Sequence, residues 1–477
     1  MTSTTSGPSA AAPRRVLSTR DGVVLVVGLV VGAGIFRAPP LVAGQVSDAW
    51  SFVGLWAAGG LIALVGALCY AELASAYPHA GGEYHVLDRA FGRAAAFLLG
   101  WSRLAVLQTG SIALLAFVFA DYAASLLFGA GPAPTAAVPL LAAGTIVALT
   151  LVNAAGLEPG RRTQYLLTAA ELVGLCAVVV AGLVVAVRGA PDVAPPPQAA
   201  GAPAPNVALA LVFVLLTFGG WSEAAYLSAE LRDERHGVRR TLTWGVLIVT
   251  VLYLLANAAY LLALGLRGVA GSTAVAVDVA RAAAGAWGAA AVGLVVMASA
   301  LSSANATMIT GARGSFAVGA DVSALSALGV WHAAVGGPSA GPSAAAGGTP
   351  RRALVVQGGV SLVLVVFGAL TRAGFETLVA YTAPVFWLTL LLMGLALFVL
   401  RRRDPTRARP FRVPLYPVTP LLFCATSAAM LYSSVAYAGP GALLGLAVML
   451  AGVPVLLLDR VRARRAGAAR ATFDDSP

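Results

Sequence analysis

The sequence predicts an all-α integral membrane protein with twelve transmembrane helices, and three observations support this fold class. Of its 477 residues, 59% are hydrophobic and 11% are charged, and the mean hydropathy is +0.85. Soluble domains carry about 25% charged residues, so this composition excludes a soluble globular enzyme and a disordered chain. The apolar residues also form long continuous runs, which excludes the short alternating segments of a membrane β-barrel.

The apolar runs define the predicted spans, because a helix needs roughly 20 apolar residues to cross the hydrocarbon core. Each run ends at charged residues or at a cluster of Pro and Gly. In chain order the predicted spans are 22–44, 50–75, 94–128, 136–155, 164–187, 207–230, 241–265, 285–312, 353–371, 376–400, 415–437 and 441–459.

The distribution of arginines predicts the orientation, since cytoplasmic loops of membrane proteins are enriched in basic residues. With a cytoplasmic N-terminus, most arginines fall on the inner side, and the outer segments receive Arg188, Arg267, Arg281 and Arg372. We therefore expect a multi-pass protein of the plasma (inner) membrane with both termini in the cytoplasm. This topology explains the net charge of +11 without a nucleic-acid partner.

Two spans contain glycine clusters that predict breaks in the helix. The first span carries Gly32-Ala33-Gly34, and the sixth carries Gly219-Gly220 followed by polar residues. Unwound backbone inside a membrane is tolerated only beside a cavity or other protein. One such cluster is also common where helices pack, but breaks at matching positions of two halves indicate an inverted-repeat transporter with a midplane site.

The backbone groups freed at such breaks suit the zwitterion that α-amino acids share. The N–H groups of residues 32–34 are expected to bind a carboxylate, helped by the positive end of the half-helix that follows. Carbonyl groups near Val31 and over 218–220 are expected to bind the ammonium group. Phe218 or Trp221 would then cover the pocket for the substrate side chain.

Four motifs, in order, resemble the amino acid–polyamine–organocation superfamily, nearest its L-type amino acid transporter and related bacterial permease branches. GAGIF at 32–36 is similar to the first-span motif GSGIF, and YAELASAYPHAGGEY at 70–84 is similar to the signature after the second span. Residues 221–242 resemble the exit of the sixth span. RPFRVPLYP at 409–417 resembles the segment before the eleventh span.

The resemblance implies a five-plus-five inverted repeat (a LeuT-like fold) with broken helices 1 and 6, two extra helices, and alternating access. The implied divisions are a tail at 1–20, a first repeat at 21–189, a second repeat at 206–402, two helices at 413–460 and a tail at 461–477. The implied function is secondary active transport of α-amino acids, as a proton symporter or an exchanger, with neutral or small substrates favoured. A cationic amino acid or polyamine transporter is the alternative, and a sensor without transport is a further one.

The family's substrate contacts, carried onto this sequence, fall on both breaks and on the eighth span. They are Val31, Gly32, Ala33, Gly34, Ile35, Phe218, Gly219, Gly220, Trp221, Ser302, Ser303 and Asn305. The three eighth-span residues are equally consistent with hydrogen bonds between helices.

Four charged residues are expected to act in coupling or gating. Glu171 lies where many relatives have a Lys beside the first-span break, and an intramembrane carboxylate is costly and usually functional. It is expected to carry a proton, to coordinate a cation or to pair with Arg103. Glu223 would contact a cationic substrate or a proton, or be satisfied by a neighbouring hydroxyl. Arg37 is expected at the extracellular gate.

No catalytic residue, cofactor or metal site is predicted. The spans contain no HExxH or GxSxG motif, and the three cysteines lack metal-ligand spacing. The expected partners are the amino acid substrate, protons and the lipid bilayer. The outer loop 129–135 has no Cys, so we expect no disulfide-linked heavy chain, and the protein is expected to be a monomer or homodimer. The polar residues Glu72, His79, Glu83, Asp88 and Arg89 are interpreted as a cytoplasmic gate or a structural network.

Overall fold

The computed structural model describes residues 15, 17–79, 81–128, 134–189, 206–228, 230–233, 236–332, 349–370, 374–438, 440–459 and 461. Most of the predicted tails, most of the outer loop 129–135 and the link 190–205 between the predicted repeats lie outside these residues. The described part is almost entirely helical, which confirms the predicted all-α class.

The helices of the first half are α1 (Thr19–Val30), α2 (Gly34–Ala43), α3 (Ala49–Ala76), α4 (Glu83–Phe91), α5 (Arg93–Ser102), α6 (Thr109–Phe128), α7 (Ala137–Ala154) and α8 (Leu157–Arg188). The others are α9 (Val207–Thr217), α10 (Gly237–Gly271), α11 (Val275–Asp321), α12 (Arg351–Leu370), α13 (Gly374–Arg403), α14 (Val418–Ala438) and α15 (Pro440–Leu450). A π-helical turn, Arg103–Gln108, joins α5 to α6, and a 3-10 helix, Trp221–Leu227, follows α9.

Among the described residues, ten helices are long and apolar enough to cross a membrane, and the bent pair α1–α2 makes an eleventh span. These correspond to the first eleven predicted spans. The twelfth predicted span falls on a shorter apolar helical stretch, Leu444–Asp459, which includes part of α15. The count of twelve therefore stays a prediction.

Two of the longest helices contain a kink at a glycine. Gly265 in α10 has φ 66°, and Gly285 in α11 has φ 64°, both in the left-handed region that favours glycine. These kinks coincide with the predicted end of the span 241–265 and the predicted start of the span 285–312. The residues beyond each kink are short helical extensions that the apolar pattern did not include.

Both predicted helix breaks are present. A capping box between Ser18 and Asp21 starts α1, which ends at Val30. The helix α2 begins at Gly34 and is bent by 47° from α1. In the sixth span, α9 ends at Thr217 and the 3-10 helix starts after Gly220, whose φ is 104°.

The broken spans lie at the centre of the bundle. The helix α1 packs against α8, α10 and α11, whereas α2 packs against α9, α10 and α11. Most of the first break is buried, as are the α10 and α11 side chains that face it. This arrangement surrounds unwound backbone with protein, as the cost of unpaired polar groups in hydrocarbon requires.

Candidate functional site

The two breaks pack directly against each other. A Cβ atom on Gly34 would lie 2.9 Å from Cγ2 of Thr217, and one on Gly220 would lie 3.0 Å from the carbonyl oxygen of Leu29. The Tyr253 hydroxyl of α10 lies 2.7 Å from the Val30 carbonyl oxygen and 3.1 Å from that of Thr217. One side chain therefore contacts the last helical carbonyl before each break.

The N–H groups at the start of α2 are the donors that the first break leaves for a ligand. First-turn N–H groups have no acceptor within their own helix, and this applies to Gly34 and Ile35. The N–H of Gly32 instead donates to the Val30 carbonyl at 2.8 Å. Of the predicted carboxylate donors, Gly34 is therefore better placed than Gly32, and the N–H of Ile35, which was not predicted as a donor, is available as well.

The surface that remains partly exposed at the breaks is formed by backbone. Gly34, Gly219 and Gly220 are partly exposed, whereas Val31 and Ala33 are buried. A Cβ atom on Gly219 would lie 3.5 Å from the ring of Phe386 on α13. Sequence reasoning did not single out Phe386, which lies in an ordinary apolar run with no polar neighbour to mark it.

The two aromatic residues of the sixth span are both buried. The Phe218 ring packs 4.9 Å from that of Tyr253, and the Trp221 ring packs 5.1 Å from that of Tyr70 on α3. Phe423 of α14 also lies beside Trp221, with 6.2 Å between ring centres. These contacts hold the two rings in the bundle, and their role in covering a substrate stays a prediction.

The candidate residues of the eighth span make hydrogen bonds to neighbouring helices. Ser303 donates to the Gly28 carbonyl at 2.9 Å and so supports the end of α1. Ser302 accepts a hydrogen bond from Gln164 at 3.0 Å. Asn305 contacts Gln164, Asn153 and Gly160. For Ser302 and Asn305 the geometry favours the interhelical alternative over substrate contact.

Glu171 lies beside the first break and is fully buried. Its Oε1 is 2.5 Å from the Ser299 hydroxyl of α11, and the same hydroxyl is 3.0 Å from the Val31 carbonyl oxygen. Its Oε2 has no hydrogen-bond partner within the described part of the chain. The predicted alternative in which Glu171 pairs with Arg103 is wrong, because Arg103 pairs with two other carboxylates.

Arg103, at the start of the π-helical turn, joins this turn to α4 and to the 3-10 helix that follows the sixth-span break. It donates to Glu83 of α4 at 2.5 Å and to Glu223 of the 3-10 helix. Gln108 donates to the second oxygen of Glu223 at 2.9 Å. Glu223 is therefore satisfied by a guanidinium and an amide, not by the hydroxyl that the sequence suggested.

Glu83 completes this cluster. Its carboxylate also accepts hydrogen bonds from the Tyr70 and Tyr226 hydroxyls at 2.7 and 3.2 Å. Both carboxylates and the guanidinium are almost entirely buried. A buried pair of this kind is stable only while every charge keeps its partners.

Glu72 joins two of the motifs that carry the family resemblance. It accepts two hydrogen bonds from Arg401, at 2.8 and 2.5 Å, and one from the backbone N–H of Val413 at 2.7 Å. Arg409 lies 3.4 Å from the same carboxylate. The motif at 70–84 therefore binds the motif at 409–417, which supports the interpretation as a structural network.

Two histidines in and just after the motif at 70–84 stack on each other. The rings of His79 and His85 are 4.2 Å apart and nearly parallel. Burial is the largest cause that lowers the pKa of His85 to about 4, and the neighbouring His79 is the second. His85 is therefore uncharged near neutral pH.

Further ion pairs lie at the two ends of the bundle. Arg37 of α2 lies 3.5 Å from Asp121 of α6, and both side chains are well exposed. On the opposite side, buried Arg313 pairs with Glu230 after the sixth span. Leu17 forms a short parallel bridge with Leu231, which ties the chain before α1 to the sixth-span exit. Sequence reasoning did not predict the contacts of Arg313 and Leu17.

Comparison with known proteins gives one family and a consistent set of relatives. The family model described as "Amino acid permease" matches residues 17–453. The mouse "b(0,+)-type amino acid transporter 1" is 29% identical over 402 residues, which cover 83% of this chain and 78% of the relative. The rabbit "Large neutral amino acids transporter small subunit 2" is 30% identical over 461 residues, which cover 95% of this chain and 82% of the relative.

Proposed function

The chain belongs to the amino acid permease family and is an amino acid transporter, and we propose that it moves α-amino acids across the plasma membrane by alternating access. The observation that carries this mechanism is the direct packing of the two breaks, with Tyr253 contacting both. Because Tyr253 contacts the end of the half-helix before each break, a ligand bound between the breaks can bias the position of both half-helices.

The substrate zwitterion is proposed to bind at the partly exposed backbone between the breaks. The N–H groups of Gly34 and Ile35 supply donors at the positive end of α2, which suits a carboxylate. The carbonyls at 218–220 suit the ammonium group. A pocket of this kind recognises what all α-amino acids share and leaves the side chain to its apolar surroundings, including Phe386.

Neutral amino acids are the proposed substrates. The cationic alternative depended on two acidic residues in the spans, Glu171 and Glu223. The charge of Glu223 is matched by Arg103 and Gln108, and Glu171 is buried behind Val31 and Ser299. Neither carboxylate therefore offers an unmatched charge at the exposed backbone. The name of one relative, a transporter of large neutral amino acids, also supports neutral substrates.

Glu171 is proposed to be the group that carries a proton. The Ser299 hydroxyl has one hydrogen and two acceptors within reach, Glu171 Oε1 and the Val31 carbonyl. When Glu171 is ionised, Ser299 donates to the carboxylate and the Val31 carbonyl loses this donor. When Glu171 is protonated, it donates to Ser299 Oγ, and the Ser299 hydrogen can reach Val31. Proton binding thus changes the hydrogen bonding of the first break.

The finer organisation of the chain is part of the same proposal. Residues 21–189 and 206–402 form the two inverted repeats, followed by two helices at 413–460, with both termini in the cytoplasm. The concentration of arginines in the predicted inner segments supports this orientation. Because 129–135 contains no Cys, we infer that no disulfide joins this loop to a second subunit.

A competition experiment in proteoliposomes tests the substrate class. Uptake of a labelled neutral amino acid is measured in the presence of an excess of unlabelled neutral, cationic and acidic amino acids or polyamines. Neutral L-amino acids should compete, whereas cationic and acidic amino acids, polyamines and esters that lack the α-carboxylate should not. Strong competition by cationic compounds without an α-carboxylate would contradict the proposed site.

A further inference from the structure

A cavity of about 510 Å³ lies where the N-terminal ends of α1 and α8 meet. Its lining is Asp21, Arg161, Arg162, Tyr165 and Leu166. Asp21 precedes the first break by ten residues along the chain, or roughly 15 Å of helix, so this cavity is separate from the transport site. It lies at the arginine-rich end of the bundle, the end proposed to face the cytoplasm.

One wall of the cavity is polar and basic. The Tyr165 hydroxyl donates to Asp21 at 2.6 Å, and Arg161 lies 3.5 Å from the same carboxylate. Ser18 also donates to Asp21 through its backbone N–H and its hydroxyl. The single acidic charge of the lining is therefore already engaged within the protein. The lining therefore contains two arginines and one carboxylate.

The other wall is apolar and open to the outside of the bundle. Leu166 is 73% exposed, and it begins a row of exposed side chains, Val173, Val180 and Val187, spaced seven residues apart along α8. Seven residues are about two helical turns, so these side chains lie on one face of the helix. The cavity therefore continues from a basic end into an apolar surface that a membrane would cover.

We propose that this cavity binds an anionic phospholipid, with the phosphate at Arg161 and Arg162 and the acyl chains along the Leu166 face of α8. Basic pockets between helices at the cytoplasmic side suit acidic lipid head groups. A soluble anion would match the arginines but leave the apolar wall uncovered. The N-terminal segment 1–16 is a poor alternative occupant, because it contains two arginines and no acidic residue.

Lipid binding to the purified full-length protein, measured by native mass spectrometry, tests this proposal. Wild type is titrated with phosphatidylglycerol and with phosphatidylcholine of identical acyl chains. The double variant R161Q/R162Q should bind phosphatidylglycerol about thirtyfold more weakly, because each arginine near the surface contributes about 1 kcal/mol. Binding of phosphatidylcholine should not change.

A matched pair of arginines provides the control. Arg239 and Arg240 are also adjacent and lie in the first turn of α10, so R239Q/R240Q makes the same change in net charge. This variant should keep wild-type affinity for phosphatidylglycerol.

A second variant leaves the contact between Arg161 and Asp21 in place. Leu166→Glu places a negative charge at the exposed edge of the cavity and should also weaken phosphatidylglycerol binding by tenfold or more. Wild-type affinity in both R161Q/R162Q and Leu166→Glu would overturn the proposal. Inorganic phosphate that displaces phosphatidylglycerol at equal concentration would show a site for a soluble anion and would overturn it too.

Discussion

Loss of the Arg103 guanidinium is expected to destabilise the protein more than loss of Glu223, one of the two carboxylates that it binds. Arg103→Gln leaves Glu83 and Glu223 buried near each other without a cation. Removal of one member of a buried ion pair typically costs about 3–5 kcal/mol, because the remaining charge is left uncompensated. Glu223→Gln keeps the Arg103–Glu83 pair and loses one charge-assisted hydrogen bond, at a cost of about 1.5–3 kcal/mol.

Thermal unfolding in detergent, followed by intrinsic fluorescence, measures this order. The midpoint should fall most for Arg103→Gln and less for Glu223→Gln, and the double variant should recover part of the loss because it removes one unpaired carboxylate. Arg37→Gln is the control, since the exposed Arg37–Asp121 pair should contribute about 1 kcal/mol or less. A double variant no more stable than Arg103→Gln would refute the reasoning.

Three further predictions concern the breaks and their surroundings. Gly220→Val should abolish uptake, because the φ of 104° at Gly220 and the nearby Leu29 carbonyl exclude a side chain. Gly54→Val is the control and should transport normally, because a Cβ atom at Gly54 meets open space. Equal uptake by both variants would exclude the sixth-span break from the mechanism. Tyr253→Phe removes the hydroxyl that contacts both breaks, and it should reduce the uptake rate at least tenfold while the protein still folds. An unchanged uptake rate would show that this contact is dispensable. His85→Gln should leave the pH profile of uptake between pH 5 and 8 unchanged, because a pKa lowered to about 4 keeps His85 neutral across that range; a shifted profile would contradict this.

The features that sequence predicted are those with a local cause. Paired glycines at mid-membrane depth predicted both breaks, because only glycine there allows φ of 104° at Gly220 or a close approach at Gly34. Apolar runs that end at charged residues or at Pro and Gly predicted the spans, although α10 and α11 extend past the kinks at Gly265 and Gly285. The twelfth span stays a prediction, because Leu444–Asp459 is a short apolar helix.

The features that sequence missed depend on residues that are distant along the chain. Glu72 and Arg401 are separated by 329 positions and meet only when α3 packs near α13. The apolar pattern of the fifth span marked Glu171 as unusual, but nothing in it identified Ser299 as its partner. Arg103 pairs with Glu83 and Glu223, which are 20 and 120 positions away along the chain, and no local pattern identified either as its partner.

Proton-driven uptake is the most direct test of the proposed transport mechanism. Labelled neutral amino acids are offered to empty proteoliposomes with and without an inward proton gradient, using wild type, Glu171→Gln and His85→Gln. We predict gradient-driven accumulation by wild type and His85→Gln and its loss in Glu171→Gln. Uptake only into vesicles preloaded with amino acid, at the same rate in Glu171→Gln, would contradict the role of Glu171 and indicate exchange without proton coupling.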